Sequence, residues 1–146
     1  MLYYKDLFAL VQVMEPQASM LGILPQDQSV TGCQLDSRAI REGDLFVAFE
    51  GARVDGHNYL DSAQNQGAVC ALVTKFTQST LTQIRVKDPM AMLVHIARTV
   101  RGLWPKNRTV IALTGSVGKT TTKDLCASIF SQVDTLIRPK AIRITC

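Results

Sequence analysis

Gly115-Ser116-Val117-Gly118-Lys119-Thr120-Thr121 is the stretch of this chain best equipped for chemistry. Two glycines bracket a short turn, and a lysine and hydroxyl residues follow. Small residues let successive backbone N–H groups turn inward, and a helix starting at the lysine aims the positive end of its dipole at an anion. The spacing therefore predicts a cradle for nucleotide phosphates. Lys119 would be the catalytic cation reaching the outer phosphates, and the Thr120 hydroxyl would sit on Mg2+. The remaining phosphate contacts would come from Gly115, Ser116, Val117, Gly118 and Thr121. In the usual pattern a further glycine stands five residues ahead of Gly118, with four residues between; Leu113 occupies that place. What remains is the shorter form Thr-Gly-Ser-x-Gly-Lys-Thr-Thr.

Two other clusters carry polar chemistry. Asp36-Ser37-Arg38 offers a hydroxyl and a guanidinium that could hold a phosphate or a sugar. The same residues could equally be a turn closed by an exposed ion pair, which contributes little. Asp55-Gly56-His57 reads either as a binding loop or as a helix entry with Asp55 as its cap. Asp44, just ahead of a buried strand, reads as a turn residue.

These residues need elements to position them. Leu7, Leu10, Val11 and Met14 follow the spacing of one helical face, and Pro16 limits that helix. Leu45-Phe46-Val47-Ala48-Phe49 and Ala68–Val73 are short apolar runs of the kind buried in a sheet, with a helix between them that Gly67 would end. Residues 75–83 are polar and read as surface, and 84–86 as one more strand. Asp88-Pro89 is a helix start, with Met92, Ile96, Val100 and Leu103 on the face that follows. Residues 110–113 form the strand that feeds the cradle, and Leu125, Ile129 and Phe130 mark the helix after it.

At 146 residues, 47% hydrophobic and 19% charged, the chain is globular rather than disordered. The net charge of +4 comes without a Lys/Arg block or interleaved aromatics, so nothing singles out nucleic acid as a partner. The four cysteines form no C-x-x-C pair, which argues against zinc, and Cys70 sits where a reduced thiol packs as a small hydrophobe. No apolar run is long enough to insert in a membrane. A cytoplasmic, monomeric protein is the expectation.

The loop and the upstream motifs together resemble the Mur ligase family of cell-wall synthesis, with its folylpolyglutamate synthetase relatives. Thr114–Thr122 is similar to the family's nucleotide loop. Asp36-Ser37-Arg38, Gly43–Ala48, Gly51, Asp55-Gly56-His57 and Gly67-Ala68 follow the order seen in the N-terminal domain of the MurE and MurF types. The resemblance covers about residues 30–132. Ser116-Val117, followed by Thr-Thr-Thr-Lys123-Asp124, resembles the MurF loop more than the MurE loop.

The resemblance implies an α/β chain in two parts. Residues 1–87 would be a small uridine-diphosphate-binding domain, with Ser37, Arg38, Asp55, Gly56 and His57 at the substrate. Residues 88–146 would be the opening strand, loop and helix of an incomplete P-loop ATP-binding domain. It implies ATP and Mg2+ as cofactors, and UDP-MurNAc-peptide and D-Ala-D-Ala as small-molecule substrates. The carboxylate of the first would be phosphorylated by ATP, and the amine of the second would attack the acyl phosphate. From Arg138 onward the family pattern stops, so the expectation is a fragment that does not ligate by itself. A MurE-type fragment, a non-catalytic UDP-sugar-binding module and a small P-loop switch protein are the competing readings.

Overall fold

The computed structural model describes residues 2–52, 54–104 and 114–130. By compactness the chain divides into two units, Met1–Pro105 and Lys106–Cys146, each described here by itself.

The first unit is built on a five-stranded sheet. Helix α1 (Tyr4–Met14) leads into β1 (Ser19–Leu21). Then come β2 (Gly32–Gln34), β3 (Asp44–Val47), α2 (Leu60–Asn65), β4 (Ala68–Val73), β5 (Thr82–Arg85) and α3 (Pro89–Gly102). The strand order is β1-β5-β4-β3-β2. Strands β2 to β5 run parallel, and β1 pairs antiparallel with β5 through Ser19–Arg85, Met20–Ile84 and Leu21–Gln83.

The apolar runs in β3 and β4 are continuous because both faces of the sheet are covered. Leu45, Val47, Cys70, Leu72 and Ile84 face α1 and α3, where Leu7, Val11, Met92 and Ile96 complete one core. Phe46, Ala48, Ala71, Val73 and Leu81 face the other way, onto Leu60 and Ala63 of α2. The register slips between Asp44 and Leu45, which pair with Ala68 and Cys70, so Val69 is an extra residue. That bulge lets Ala68 face the α2 layer while Val69 and Cys70 both face the α1/α3 layer. Burial pushes the Cys33 thiol up to about 12 and the Cys70 thiol well above its ordinary range; both cysteines are free.

Asp88 caps α3 by accepting from the Met90 and Ala91 N–H groups, each at 2.9 Å, with Pro89 in the first turn. The helix that was expected to open a second domain instead packs on the first: Met92 and Ile96 belong to its core, and the compact unit continues to Pro105. The N-terminal stretch also supplies more than a packing helix, since Ser19–Leu21 adds the antiparallel edge strand.

The last parallel strand lies two residues earlier than the 84–86 pattern suggests, and it carries a polar residue into the core. Gln83 is fully buried. Its Oε1 accepts from the Thr77 N–H at 2.8 Å, and its Nε2 donates to the carbonyls of Thr77 and Ser79 at 3.2 and 3.1 Å. One amide thus satisfies the backbone of the 77–79 turn, and the polar segment after β4 folds over its own glutamine. Gln83→Leu would leave those groups buried without partners, at a cost of about 1–3 kcal/mol. Urea unfolding monitored by circular dichroism measures it, and an unchanged midpoint would refute the clamp.

In the second unit, α4 spans Lys119–Phe130. The expected strand at 110–113 and everything from residue 131 onward lie outside the described residues. Among the described residues no helix is long and apolar enough to cross a membrane.

Candidate functional site

Because β2 to β5 are parallel, the segments that follow them emerge at one edge of the sheet. In open α/β sheets ligands bind in the crevice outside this carboxyl edge. Asp36–Arg38 follows β2, residues 48–57 follow β3, and Thr74 and Lys75 follow β4. The Asp-Ser-Arg and Asp-Gly-His motifs are therefore neighbours along the carboxyl edge of the sheet.

Asp36 begins a 3-10 turn, Ser37–Ala39, and its Oδ1 accepts from the Arg38 N–H at 3.0 Å. The Arg38 guanidinium closes back on the same carboxylate, Nε to Oδ1 at 2.9 Å and Nη2 to Oδ2 at 2.7 Å. Ser37 is buried, whereas the Arg38 side chain is 87% exposed. The side-chain hydrogen bonds from Arg38 lower the Asp36 carboxyl to about 2. The folded value lies below the ordinary Asp value of about 3.9. The pair's contribution is thus present above about pH 4 and lost as pH falls toward 2. Carbon-detected NMR of the Asp36 carboxyl is expected to give a midpoint near 2, moving up toward the ordinary value of about 3.9 in Arg38→Ala, which keeps only the backbone N–H bond to Oδ1. An Asp36 midpoint unaffected by that substitution would show the fork to be open in solution.

Between β3 and α2 the chain makes a small hairpin. Glu50 and Asp55 form an antiparallel bridge, and the Gly51 N–H donates to the Val54 carbonyl at 3.0 Å. The Gly56 N–H donates to the Phe49 carbonyl at 2.9 Å. A Cβ on Gly56 would stand 3.0 Å from both the Phe49 nitrogen and oxygen, so any larger residue would have to push the backbone after β3 aside by a few tenths of an ångström. Asp55 caps the 3-10 turn Gly56–Tyr59 by accepting from the His57 N–H at 3.0 Å.

His57 is buried, with 1% of its side chain exposed. Its Nδ1 lies 2.5 Å from Asp55 Oδ1, and its Nε2 accepts from the Thr74 N–H at 3.0 Å. A backbone N–H can only donate, so Nε2 is the bare nitrogen and Nδ1 carries the proton. Asp55 Oδ2 takes the Lys75 ammonium at 2.8 Å. Hydrogen bonds from Lys75 first, then from the His57 backbone and ring, hold the Asp55 carboxyl far below the usual carboxylate range.

The Thr74 hydroxyl also lies 3.1 Å from His57 Nε2, giving the outline of a carboxylate, an imidazole and a hydroxyl in sequence. The Nε2 lone pair is already held by the Thr74 N–H, so the ring is not free to act as a base. His57 and Gly56, read from the sequence as substrate contacts, are instead the tie that binds the hairpin to the end of β4. Thr74 and Lys75, within or beside a stretch that reads as polar surface, complete that tie. Their place directly after a buried parallel strand was the signal that could have found them.

The loop read from the sequence as a phosphate cradle belongs to the second unit. Gly115 and Gly118 have φ of +148° and +79°, in the region that favours glycine. Among the described residues nothing crowds a Cβ at Gly118, so conformation calls for glycine there. The first helical hydrogen bond runs from the Thr122 N–H to the Gly118 carbonyl at 2.9 Å, which leaves the earlier N–H groups of α4 unused by the helix. The Lys119 ammonium folds back to donate to the Gly115 carbonyl. Ser116, Val117, Thr120 and Thr121 are exposed around it. This brings together a cation, free N–H groups and the Thr120 hydroxyl, an arrangement suited to phosphate oxygens.

The family described as Mur ligase family, catalytic domain, matches residues 29–101. Over 110 residues the chain is 37% identical to the UDP-N-acetylmuramoyl-L-alanyl-D-glutamate--2,6-diaminopimelate ligase of Fusobacterium nucleatum, covering 73% of this chain and 22% of that protein. Over 106 residues it is 39% identical to the UDP-N-acetylmuramoyl-tripeptide--D-alanyl-D-alanine ligase of Escherichia coli K12, covering 73% and 23%. Among solved structures it resembles the MurF ligase of Thermotoga maritima in complex with ADP. The TM-score is 0.59 at 31% identity, over 82% of this chain and 28% of that one. The chain thus spans about a quarter of the length of these relatives.

Proposed function

Because the chain belongs to the Mur ligase family, we propose that it contributes the uridine-diphosphate-binding unit and the phosphate cradle of an ATP-dependent ligase of peptidoglycan precursor synthesis. The observation that carries this reading is the loop at 115–121. Its two positive-φ glycines and the inward-folded Lys119 give a ready-made seat for nucleotide phosphates.

A carboxylate is a poor acyl donor until one oxygen becomes a leaving group. Phosphorylation by ATP supplies that leaving group, the amine of the second substrate attacks the acyl carbon, and phosphate departs. The protein's part is positioning and charge neutralisation on the transferring phosphoryl group. Lys119 would leave the Gly115 carbonyl and take the outer phosphates, beside the N–H groups of 116–121. Thr120, exposed in the first turn of α4, would hold Mg2+, which when bound neutralises phosphate charge. At the sheet edge, the Arg38 guanidinium is the exposed cation beside Ser37.

The loop sequence favours the MurF type, with UDP-MurNAc-tripeptide and D-Ala-D-Ala as substrates. The MurE type is a second reading, supported by the similarity to the Fusobacterium nucleatum diaminopimelate ligase. Calorimetric titration of the chain with UDP and, separately, with Mg-ATP tests the proposal. Binding of both is the expected result. UDP binding without ATP binding would favour a non-catalytic sugar-nucleotide module, and binding of neither would sink the reading. Competition between tripeptide- and dipeptide-bearing UDP-MurNAc separates the two types: preference for the tripeptide form supports MurF.

A further inference from the structure

We propose that Asp55 and His57 are positioning residues that fix the 50–55 hairpin at the ligand-binding edge, an inference that rests on reading that edge as the uridine-diphosphate site. Among the described residues of the hairpin, little holds its outer part. Ala52 is exposed and Val54 is half exposed. Its internal ties are the Glu50–Asp55 bridge and the Gly51–Val54 hydrogen bond.

Its orientation is therefore set at the base, and the base is tied to two strands. Gly56 is pressed onto Ala48 and Phe49 at the end of β3. Asp55 and the buried His57 ring reach across to Thr74 at the end of β4, with contacts of 2.5 Å at Nδ1 and 3.0 Å at Nε2. Every ring nitrogen is used, so the imidazole has one orientation and one tautomer. Lys75 pairs with the second Asp55 oxygen from the exposed side. The ordering of the hairpin is accomplished in folding, and a ligand that touches it does not have to supply that ordering on binding.

The experiment uses the whole chain. His57→Phe keeps the ring volume and removes both nitrogen contacts. Asp55→Ser keeps a cap for the 3-10 turn but cannot reach Nδ1, and it serves as the gentler variant if His57→Phe does not fold. Asp55→Asn keeps an oxygen for the His57 N–H and Nδ1–H. UDP affinity is measured at a temperature where circular dichroism reports each variant folded, together with amide exchange at Gly51 and Gly56, the two N–H groups that donate across the hairpin.

His57→Phe and Asp55→Ser are expected to weaken UDP about tenfold and to speed exchange at Gly51 and Gly56. Asp55→Asn is expected to recover most of the affinity lost in Asp55→Ser. A folded His57→Phe or Asp55→Ser with wild-type affinity would overturn the inference. A wild-type chain that binds no UDP would sink the reading of the edge instead. Exchange then still decides whether the tie holds the hairpin, and unchanged rates at Gly51 and Gly56 in both variants would overturn it.

Discussion

Gly67→Ala is expected to destabilise the first unit by about 3–5 kcal/mol, combining a left-handed backbone conformation with a backbone clash. Gly67 follows the end of α2 with φ of +105°. A Cβ there would stand 2.8 Å from the Glu42 Cα and 3.0 Å from the Glu42 nitrogen. Neither atom belongs to a flexible side chain, so relief requires moving the chain that enters β3. That chain is also tied to Gly67, whose carbonyl accepts from the Gly43 N–H at 3.0 Å. One methyl group therefore disturbs both the helix stop and the start of a central strand. For a unit of this size the loss corresponds to roughly 15 °C or more in Tm. Gly102→Ala is the matched control. Gly102 ends α3 with no atom of the described residues near its missing Cβ, and alanine there should be neutral or stabilising by up to about 1 kcal/mol. Thermal unfolding of the two variants side by side makes the comparison, and equal Tm values would remove the argument.

Lys119→Ala is expected to weaken Mg-ATP binding about a hundredfold, a loss of about 2.7 kcal/mol, without changing the unfolding midpoint. The charge-assisted contacts of one ammonium to phosphate are each worth about 1.5–3 kcal/mol. No core contact is lost, because Lys119 is exposed and, among the described residues, bonds to the loop's own Gly115 carbonyl. Lys123 provides the internal comparison. It lies one helical turn further along α4 and pairs with Asp124 at 3.3 Å, so Lys123→Ala should change ATP affinity less than about threefold, as an exposed, screened charge does. Equal losses in the two variants would mean that the helix contributes only general positive charge. No loss in Lys119→Ala would remove this lysine from the proposed machinery.

The sequence made legible whatever depends on local chemistry. Asp88-Pro89 announces α3 because a cap and a fixed φ are local devices, and the cap is present in the structure. Gly67 announces the end of α2 for the same reason. The runs at 45–49 and 68–73 announce central strands because a sheet covered on both faces admits no polar alternation. The family, too, could be read from spaced short motifs.

What was hidden depends on partners distant in sequence. Gln83 looks like surface until the 77–79 backbone folds onto it. His57 looks like a ligand contact until the Thr74 N–H, seventeen residues on, takes its Nε2. The break between units was placed early because Met92 and Ile96 show a helical face without showing which core that face meets.

The pairing of β1 with β5 also bears on how the chain is made. Strands β2 to β5 each pair with the next one along the chain, so the parallel part of the sheet can assemble in the order of synthesis. Strand β1 has its partner in Ser19–Arg85, Met20–Ile84 and Leu21–Gln83, across the longest loop closure in the sheet. The earliest of these five strands in the sequence is thus the last to be paired. Until β5 has been made, Ser19–Leu21 has no partner strand in the sheet.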